Sequence, residues 1–397
     1  MITLTNLQAR QFLLLKHGLI GEYRFIGKEG AFDFVKQSGC IQFDPVDVCG
    51  KNAELVLQSR VKNFTKRTLE ELLYKDRLLL DYPDKNLSII PSEEWPYFTR
   101  FKEAARRNVS RYPEMRALLD TVYQKVLKDG AVCSDDLGLK GDFYWQSAIH
   151  WSAGHNLSRS VLEQLYSTGD LIIHHKNGSR KYYDAAEKYF PSDLLHAPEP
   201  LPDDFEFLKW RILRRIGAVG MLWDRPSDAW LNIWNLTAGE RSRAFTALLA
   251  EGKLLELTVE GIKSPLYCRC EDISIINTVL QNPELKPRCE FIAPLDNFLW
   301  DRKLVKTIFG FYYSWEIYTP PEKRKYGHYV LPIIYGSRFI GRIEAVCDRK
   351  NKCLAVNRFW PEDGVKMTKA LTNTVNARLA RFAKFNEMSN YDQLSVS

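Results

Sequence analysis

The segment IQFDPVDV, residues 41–48, places two polar side chains in an otherwise apolar stretch. Gln42 and Asp44 are two residues apart, so their side chains point to the same side of an extended chain. A carboxylate beside a reacting carbon can stabilise a developing positive charge or accept a proton from an attacking water. An amide transfers no proton at neutral pH, but it can hold a water molecule in line. The pair therefore has residue types that suit hydrolysis.

A structural role explains the same two residues. Asp44-Pro45 is a turn signal, and the carboxylate can accept a backbone N–H of that turn while Gln42 bonds to nearby backbone. Spacing alone favours this structural alternative. Asp47 and Glu54 are further carboxylates that could compete for the role of base, although a structural role suits each of them better.

Length and composition indicate a globular protein of two to four domains. The chain has 397 residues, 45% of them apolar, and a net charge of +7 that permits an acidic partner if the cations cluster. Its eight cysteines show no zinc spacing, and there is no Gly-rich phosphate loop. No apolar run reaches the roughly 18 residues that span a membrane. We therefore expect a cytoplasmic monomer with no membrane contact, metal or other cofactor.

Three segments of similar pattern predict a repeated unit. Residues 161–183 and 245–267 each begin with helical apolar spacing, then have a glycine (Gly169 or Gly252), a strand, a turn and a second strand. Residues 69–91 form a weaker third copy. A helix followed by a two-stranded ribbon is the end of a winged helix, so three copies predict a tandem array.

Beyond residue 288 the sequence changes to short aromatic and β-branched runs separated by turn residues. This pattern predicts a small antiparallel β-barrel or curled sheet, and a final helix follows over residues 364–385. The predicted fold class is α+β, with three tandem winged helix-turn-helix domains and a C-terminal antiparallel β-barrel. The predicted domains are 1–115, which carries the Gln-x-Asp strand, then 116–198, 199–284 and 285–397.

Several longer segments resemble a known family. IQFDPVDV followed by ELVLQSR, the segment APLDNFLWDRKLVKTIFGFYYSWEIYTPPEKRKYGHYVLP, and the less distinctive WRILRRIGAVG are similar to the YcaQ/AlkZ-type DNA glycosylases, over nearly the whole chain. The resemblance implies that Gln42 and Asp44 are catalytic, in the Asp-bearing branch of the family. The chain departs from the family pattern at Lys51, Ala53 and Lys85-Asn86, which bears on substrate range more than on reaction type.

The resemblance also implies an activity. It is the hydrolysis of the N-glycosidic bond of cationic N7-alkylated purines, and the unhooking of interstrand crosslinks, in double-stranded DNA during repair. With no lysine placed as an obvious Schiff-base nucleophile beside Gln42 and Asp44, a monofunctional enzyme without strand cleavage is expected. The alternative is a non-catalytic winged-helix DNA-binding protein, either a regulator or an architectural protein.

Basic residues predict where DNA would bind. Arg211, Arg214 and Arg215 fall at i, i+3 and i+4 and so share a helical face. A solvated surface explains each basic cluster taken alone, whereas several clusters on an array of wings favour phosphate contacts. The predicted DNA-binding residues are Lys51, Arg60, Arg106, Arg107, His174, His175, Lys176, Arg180, Lys181, Arg211, Arg214, Arg215, Lys323, Arg324 and Lys325.

Overall fold

The computed structural model describes residues 2–109, 113–139 and 156–395. The contacts between residues divide the chain into two compact units. Unit 1 combines Met1–Leu69 with Leu208–Ser397, and unit 2 is Glu70–Phe207. The division into four domains remains a prediction, since this contact pattern follows other boundaries.

Unit 1 begins with short strands between helices. Thr5 caps the first helix, because its side chain accepts the N–H of Gln8 while the Gln8 side chain accepts the N–H of Thr5. The second helix ends at Gly39, whose φ of 71° suits a residue without a Cβ. The elements are β1 (Ile2–Leu4), α1 (Asn6–Lys16), β2 (Phe25–Ile26), α2 (Gly27–Ser38), β3 (Ile41–Gln42), α3 (Asn52–Gln58), β4 (Val61–Lys62) and α4 (Lys66–Glu70).

Unit 2 packs around a cluster of aromatic side chains. The ring of Tyr82 lies within 6.4 Å of those of Trp95, Phe98 and Tyr166, and such edge and tilted contacts add to area burial. The elements, after a π-helical turn Glu71–Lys75, are β5 (Leu79–Asp84), β6 (Asn86–Pro91), a 3₁₀ segment Ser92–Phe98, α5 (Thr99–Val109), α6 (Pro113–Asp129), α7 (Ser134–Leu137), α8 (Leu157–Ser167), β7 (Leu171–Asn177), β8 (Arg180–Ala185), a 3₁₀ turn Ala186–Lys188 and α9 (Ser192–Leu195).

The chain returns to unit 1 along a long helix. Thr237 caps the next helix by accepting the N–H of Glu240, and Asp301 caps a later one through the N–H of Leu304. The elements are α10 (Asp204–Val219), α11 (Ala238–Ala250), β9 (Leu254–Val259), β10 (Leu266–Arg269), α12 (Ile273–Leu280), β11 (Cys289–Phe291), α13 (Arg302–Phe309), β12 (Val330–Tyr335), β13 (Arg338–Asp348), β14 (Cys353–Pro361), α14 (Lys369–Phe385) and β15 (Asn390–Tyr391), with 3₁₀ turns at Asp228–Trp230, Cys270–Asp272, Asn297–Leu299 and Pro321–Lys323.

The three predicted repeats each contain a helical segment followed by an antiparallel hairpin. The hairpins are β5–β6, β7–β8 and β9–β10. Gly169 and Gly252 have φ values of 82° and 66°, as expected where a helix gives way to a strand. These local elements confirm the helix–hairpin pattern. The arrangement of the repeats as tandem winged helices remains a prediction.

The C-terminal sheet is a curled half-barrel of five strands, in the order β11-β12-β13-β14-β15. The predicted curled sheet is therefore confirmed, and its first four strands pair in the antiparallel direction. The difference from the prediction is that the barrel is only half formed and that β15 pairs with β14 in the parallel direction. The reason is the crossover through α14, because a helical connection returns the chain in the direction it left.

A short N-terminal strand completes the third hairpin. Residues of β1 pair in parallel with β9, with Ile2 opposite Leu257 and Leu4 opposite Val259. Local pattern gave no sign of this pairing between segments some 250 residues apart. No helix in the described part of the chain is both long enough and apolar enough to cross a bilayer.

Candidate active site

The strand that carries Gln42 is held from two sides. Arg214, on α10, donates from Nη2 to the carbonyl oxygen of Gly39. Asn297 donates from Nδ2 to the carbonyl oxygen of Cys40 at 2.8 Å. These two bonds fix the backbone just before β3, so the position of Gln42 depends on side chains far away in sequence.

The side chain of Asn52 links the end of β3 to the segment that precedes the 3₁₀ turn Asn297–Leu299. Its Nδ2 donates to the carbonyl oxygen of Gln42 at 2.8 Å, and its Oδ1 accepts the backbone N–H of Leu295 at 3.0 Å. The side chain of Asn52 is almost completely buried. Sequence reasoning missed this residue, because nothing in the local pattern connects residue 52 with residue 295.

Gln42 lies at the end of β3 with only 6% of its surface exposed. It is followed by residues 43–51, which are neither helix nor strand, and then by α3. A buried amide in a fixed backbone has little rotational freedom, which suits positioning more than proton transfer.

Asp44 is half-buried beyond the end of β3. Its Oδ1 accepts the backbone N–H of Val46 at 2.9 Å, which is the turn bond that the structural alternative expects. Its other oxygen has no hydrogen-bond partner within the described ranges. Burial raises the pKa of Asp44 above its ordinary value, and the bond from Val46 opposes that rise. One carboxylate can therefore both brace the turn and present a free oxygen of increased basicity.

Tyr329 lies close enough to this segment to respond to its charges. Burial, the neighbouring thiol of Cys49, and the carboxylates of Asp44 and Asp47 raise the pKa of the Tyr329 phenol well above its ordinary value. The phenol therefore stays neutral at physiological pH, and no negative charge from it opposes the ionised form of Asp44.

The two competing carboxylates are engaged elsewhere. Asp47 accepts the N–H of Gly50 at 3.0 Å and pairs with Arg349 at 2.8 Å. Glu54 accepts the N–H of Lys51 at 3.1 Å, which caps α3, and lies 3.7 Å from the ammonium of Lys66. Both arrangements are those of structural residues, so Asp44 is the better candidate for the base.

Four predicted DNA-binding arginines of unit 1 have structural roles instead. Arg60 is 0% exposed and forms a bidentate pair with Asp296 at 2.9 and 3.0 Å. The exposed fractions of Arg211, Arg214 and Arg215 are 1%, 6% and 0%. Arg211 and Arg215 donate to the carbonyls of Asn232 and Leu231, and a buried guanidinium cannot present itself to a phosphate. These four arginines therefore do not form a phosphate-binding surface.

Other predicted contacts of unit 1 lie nearer the surface. The ammonium of Lys51 lies 4.0 Å from Glu54 with a quarter of the side chain exposed. Lys323 and Lys325 are exposed on the loop before β12, and Arg324 is half-buried with its Nε donating to Thr319. Glu316 accepts the N–H groups of Lys325, Tyr326 and Gly327, which fixes the shape of this loop.

In unit 2 the predicted contacts divide in the same way. Arg106 and Arg107 are exposed on α5. The hairpin β7–β8 exposes Arg180, which pairs with Asp135 at 2.8 Å. Lys176 is mostly buried in a pair with Asp81, and the half-buried Lys181 has its ammonium 5.9 Å from the centre of the Tyr166 ring. These two lysines therefore brace the hairpin, and Lys176 offers little surface to a ligand.

The two predicted histidines of that hairpin contact each other. The Nδ1 atoms of His174 and His175 are 2.8 Å apart, and His175 stacks on Tyr182. Burial, and the charge of Arg77, lower the pKa of His174. Within the ranges that the structure describes, no group of three or more His, Cys, Asp or Glu residues is arranged to hold a metal ion.

The whole architecture is similar to that of a solved DNA glycosylase. The DNA glycosylase AlkZ of Streptomyces sahachiroi superposes with a TM-score of 0.61, covering 98% of this chain and 99% of its own. The sequence identity is 17%, so this likeness establishes the fold.

The sequence establishes the family. The sequence model of the DNA glycosylase AlkZ-like family matches residues 35–385, which include β3, the segment that follows it and strands β11 to β14 of the half-barrel. The chain belongs to the AlkZ-like DNA glycosylases, and DNA repair and DNA binding come with that family.

Proposed function

We propose that this protein is a monofunctional DNA glycosylase that removes cationic N7-alkylated purines and unhooks interstrand crosslinks. The observation that carries the proposal is the half-buried carboxylate of Asp44, with one oxygen in a turn bond and the other without a partner in the described structure. It lies within the span that matches the family, residues 35–385.

The chemistry follows from the charge on the lesion. N7 alkylation makes the purine a good leaving group, so the sugar bears the developing positive charge as the bond breaks. The Asp44 carboxylate would stabilise that oxocarbenium-like state and accept a proton from the attacking water. Gln42 would hold the water or a sugar oxygen in line.

The DNA interface would use the exposed cations. In this proposal Arg106, Arg107, Lys323, Lys325 and Arg180 contact phosphates of a double-stranded substrate, with the protein acting as a cytoplasmic monomer. All five side chains are exposed, and their long aliphatic stems let the charged groups reach outward.

Strand cleavage is not expected. A Schiff-base mechanism needs an uncharged amine near the sugar, and Lys51 is the nearest candidate in the sequence. Its ammonium lies 4.0 Å from the Glu54 carboxylate and is therefore engaged in an ion pair.

A base-release assay tests the proposal. Wild-type protein should free N7-methylguanine from alkylated duplex DNA, and Asp44→Asn should lower the rate by about 10²–10⁴-fold with little change in DNA affinity. Asp47→Asn is the matched control, because Asp47 lies three residues away and is engaged by Gly50 and Arg349. Absence of base release from both monoadducts and crosslinks would refute the enzymatic function.

The second candidate is a non-catalytic DNA-binding protein. The bond from Val46 to Asp44 favours it, because that bond gives the carboxylate a structural purpose. In this case Asp44→Asn would change affinity alone, and wild-type protein would release no base from any alkylated duplex.

A further inference from the structure

A basic cleft in unit 1 lies outside the segment of Gln42 and Asp44. It has a volume of about 500 Å³ and opens to solvent. One wall comes from the turn after α10 and the other from α13. The lining residues are Trp223, Arg225, Pro226, Lys303, Lys306 and Thr307.

The floor of this cleft is rigid. Trp223 is buried, and its Nε1–H donates to Oδ2 of Asp301 at 3.0 Å. The other oxygen of Asp301 accepts the N–H of Leu304 at 2.8 Å, so one buried carboxylate fixes both walls. Leu222 also exchanges backbone hydrogen bonds of 3.0 and 2.7 Å with Tyr267 of β10. The cleft is therefore formed before any ligand arrives.

Three cations gather around this cleft without a counterion. The guanidinium of Arg225 lies 5.2 Å from the centre of the Trp223 ring. Lys303 and Lys306 are exposed at i and i+3 on one face of α13. Over the ranges that the structure describes, none of the three has a carboxylate within 4.0 Å.

The acidic groups beside the cleft are already occupied. Asp224 pairs with Arg241 at 2.6 Å and accepts the hydroxyl of Ser242. Asp301 is committed to the floor. Like charges held together without neutralisation repel one another, so an anion placed among them is stabilised.

We propose that the cleft of Arg225, Lys303 and Lys306 binds phosphate groups of the DNA backbone away from the base that is excised. A guanidinium held over an indole and two ammonium groups one helical turn apart suit phosphate oxygens, and they carry no means of reading a base. The inference rests on the DNA-binding part of the proposed function and is independent of base excision.

Salt-dependent binding to an undamaged duplex tests the site. Each phosphate contact contributes about 0.9 to the slope of log K against log[salt]. The variant R225Q/K303Q/K306Q should lower that slope by about 2–3 relative to wild type. The matched control K263Q/K350Q/K366Q removes the same charge from exposed lysines outside the cleft and should change the slope by less than about 1.

The outcomes separate the possibilities. Equal slopes for the cleft variant and the control would overturn the proposal, as would failure of the wild type to bind the duplex. Calorimetric titration with inorganic pyrophosphate tests whether the cleft binds a free phosphate compound in place of the DNA backbone. If the wild type binds pyrophosphate, the cleft variant does not, and both bind the duplex alike, the assignment to DNA is overturned. Because undamaged DNA is used, a failure to release N7-methylguanine leaves this test unaffected.

Discussion

Replacing Asn52 tests whether the backbone of Gln42 must be held for the reaction. Asn52→Leu keeps approximately the same shape but removes two hydrogen bonds, one to the carbonyl of Gln42 and one from the N–H of Leu295. A buried group that loses its partner costs about 1–3 kcal/mol, and less where it is partly exposed as at Leu295. We expect the free energy of unfolding to fall by about 2–4 kcal/mol.

The companion change Asn52→Asp gives a pH signature. Burial beside a carbonyl raises the pKa of the introduced carboxyl above its unfolded value. Its protonated form can donate to Gln42 and accept from Leu295, as Asn52 does. The stability that this provides is therefore fully present below the unfolded pKa and is lost as pH rises through the folded pKa. Asn52→Leu has no such dependence.

Both variants should also lose activity. Displacement of Gln42 by about 1 Å would lower the rate of base release by about 10²-fold. Urea denaturation and single-turnover base release measure the two effects, and Asn373→Leu on the exposed side of α14 is the control. Wild-type stability and wild-type turnover in Asn52→Leu would refute the role given to this side chain.

Three further predictions follow from buried and half-buried charges. Asp296→Ala should lower the free energy of unfolding by about 3–5 kcal/mol, because Arg60 keeps a buried charge without its partner. The control Glu22→Ala, from an exposed ion pair, should change it by less than about 0.5 kcal/mol. Similar urea midpoints for the two variants would contradict this prediction. The rate of base release should fall on the acid side of its pH profile with a midpoint above the ordinary pKa of an aspartate, because Asp44 must be ionised and burial raises its pKa. A midpoint at or below that ordinary value would exclude Asp44 as the base. Arg214→Gln should lower thermal stability while leaving the salt dependence of DNA binding unchanged, and a reduced slope would return this residue to the interface.

Sequence patterns predicted the local elements correctly because those depend on near neighbours. The spacing of apolar residues over 161–183 correctly predicted α8 and the hairpin after it. The same spacing over 245–267 correctly predicted α11 and its hairpin. Glycines at the helix ends have the positive φ that the pattern required. Such signals carry no information about which segments meet later, so β1 joining β9 was missed.

The charged face of α10 shows why the site was harder to predict. Arginines at i, i+3 and i+4 share a face whether that face meets solvent or the backbone of another segment. Here Arg214 meets Gly39, and only the tertiary fold distinguishes the two cases. The choice of Asp44 came from family resemblance, since spacing alone favoured the turn bond that the structure also contains.

Unit 1 is made from two stretches of chain separated by the whole of unit 2. During synthesis, residues 70–207 can complete their own contacts while the first 69 residues still lack β9, Leu295 and Asn297. The backbone around Gln42 then acquires its last anchors, Asn297 and the Leu295 partner of Asn52, only after about three quarters of the protein has been synthesised. Long separations of this kind slow folding, so β3 becomes fully ordered only late in the folding of unit 1.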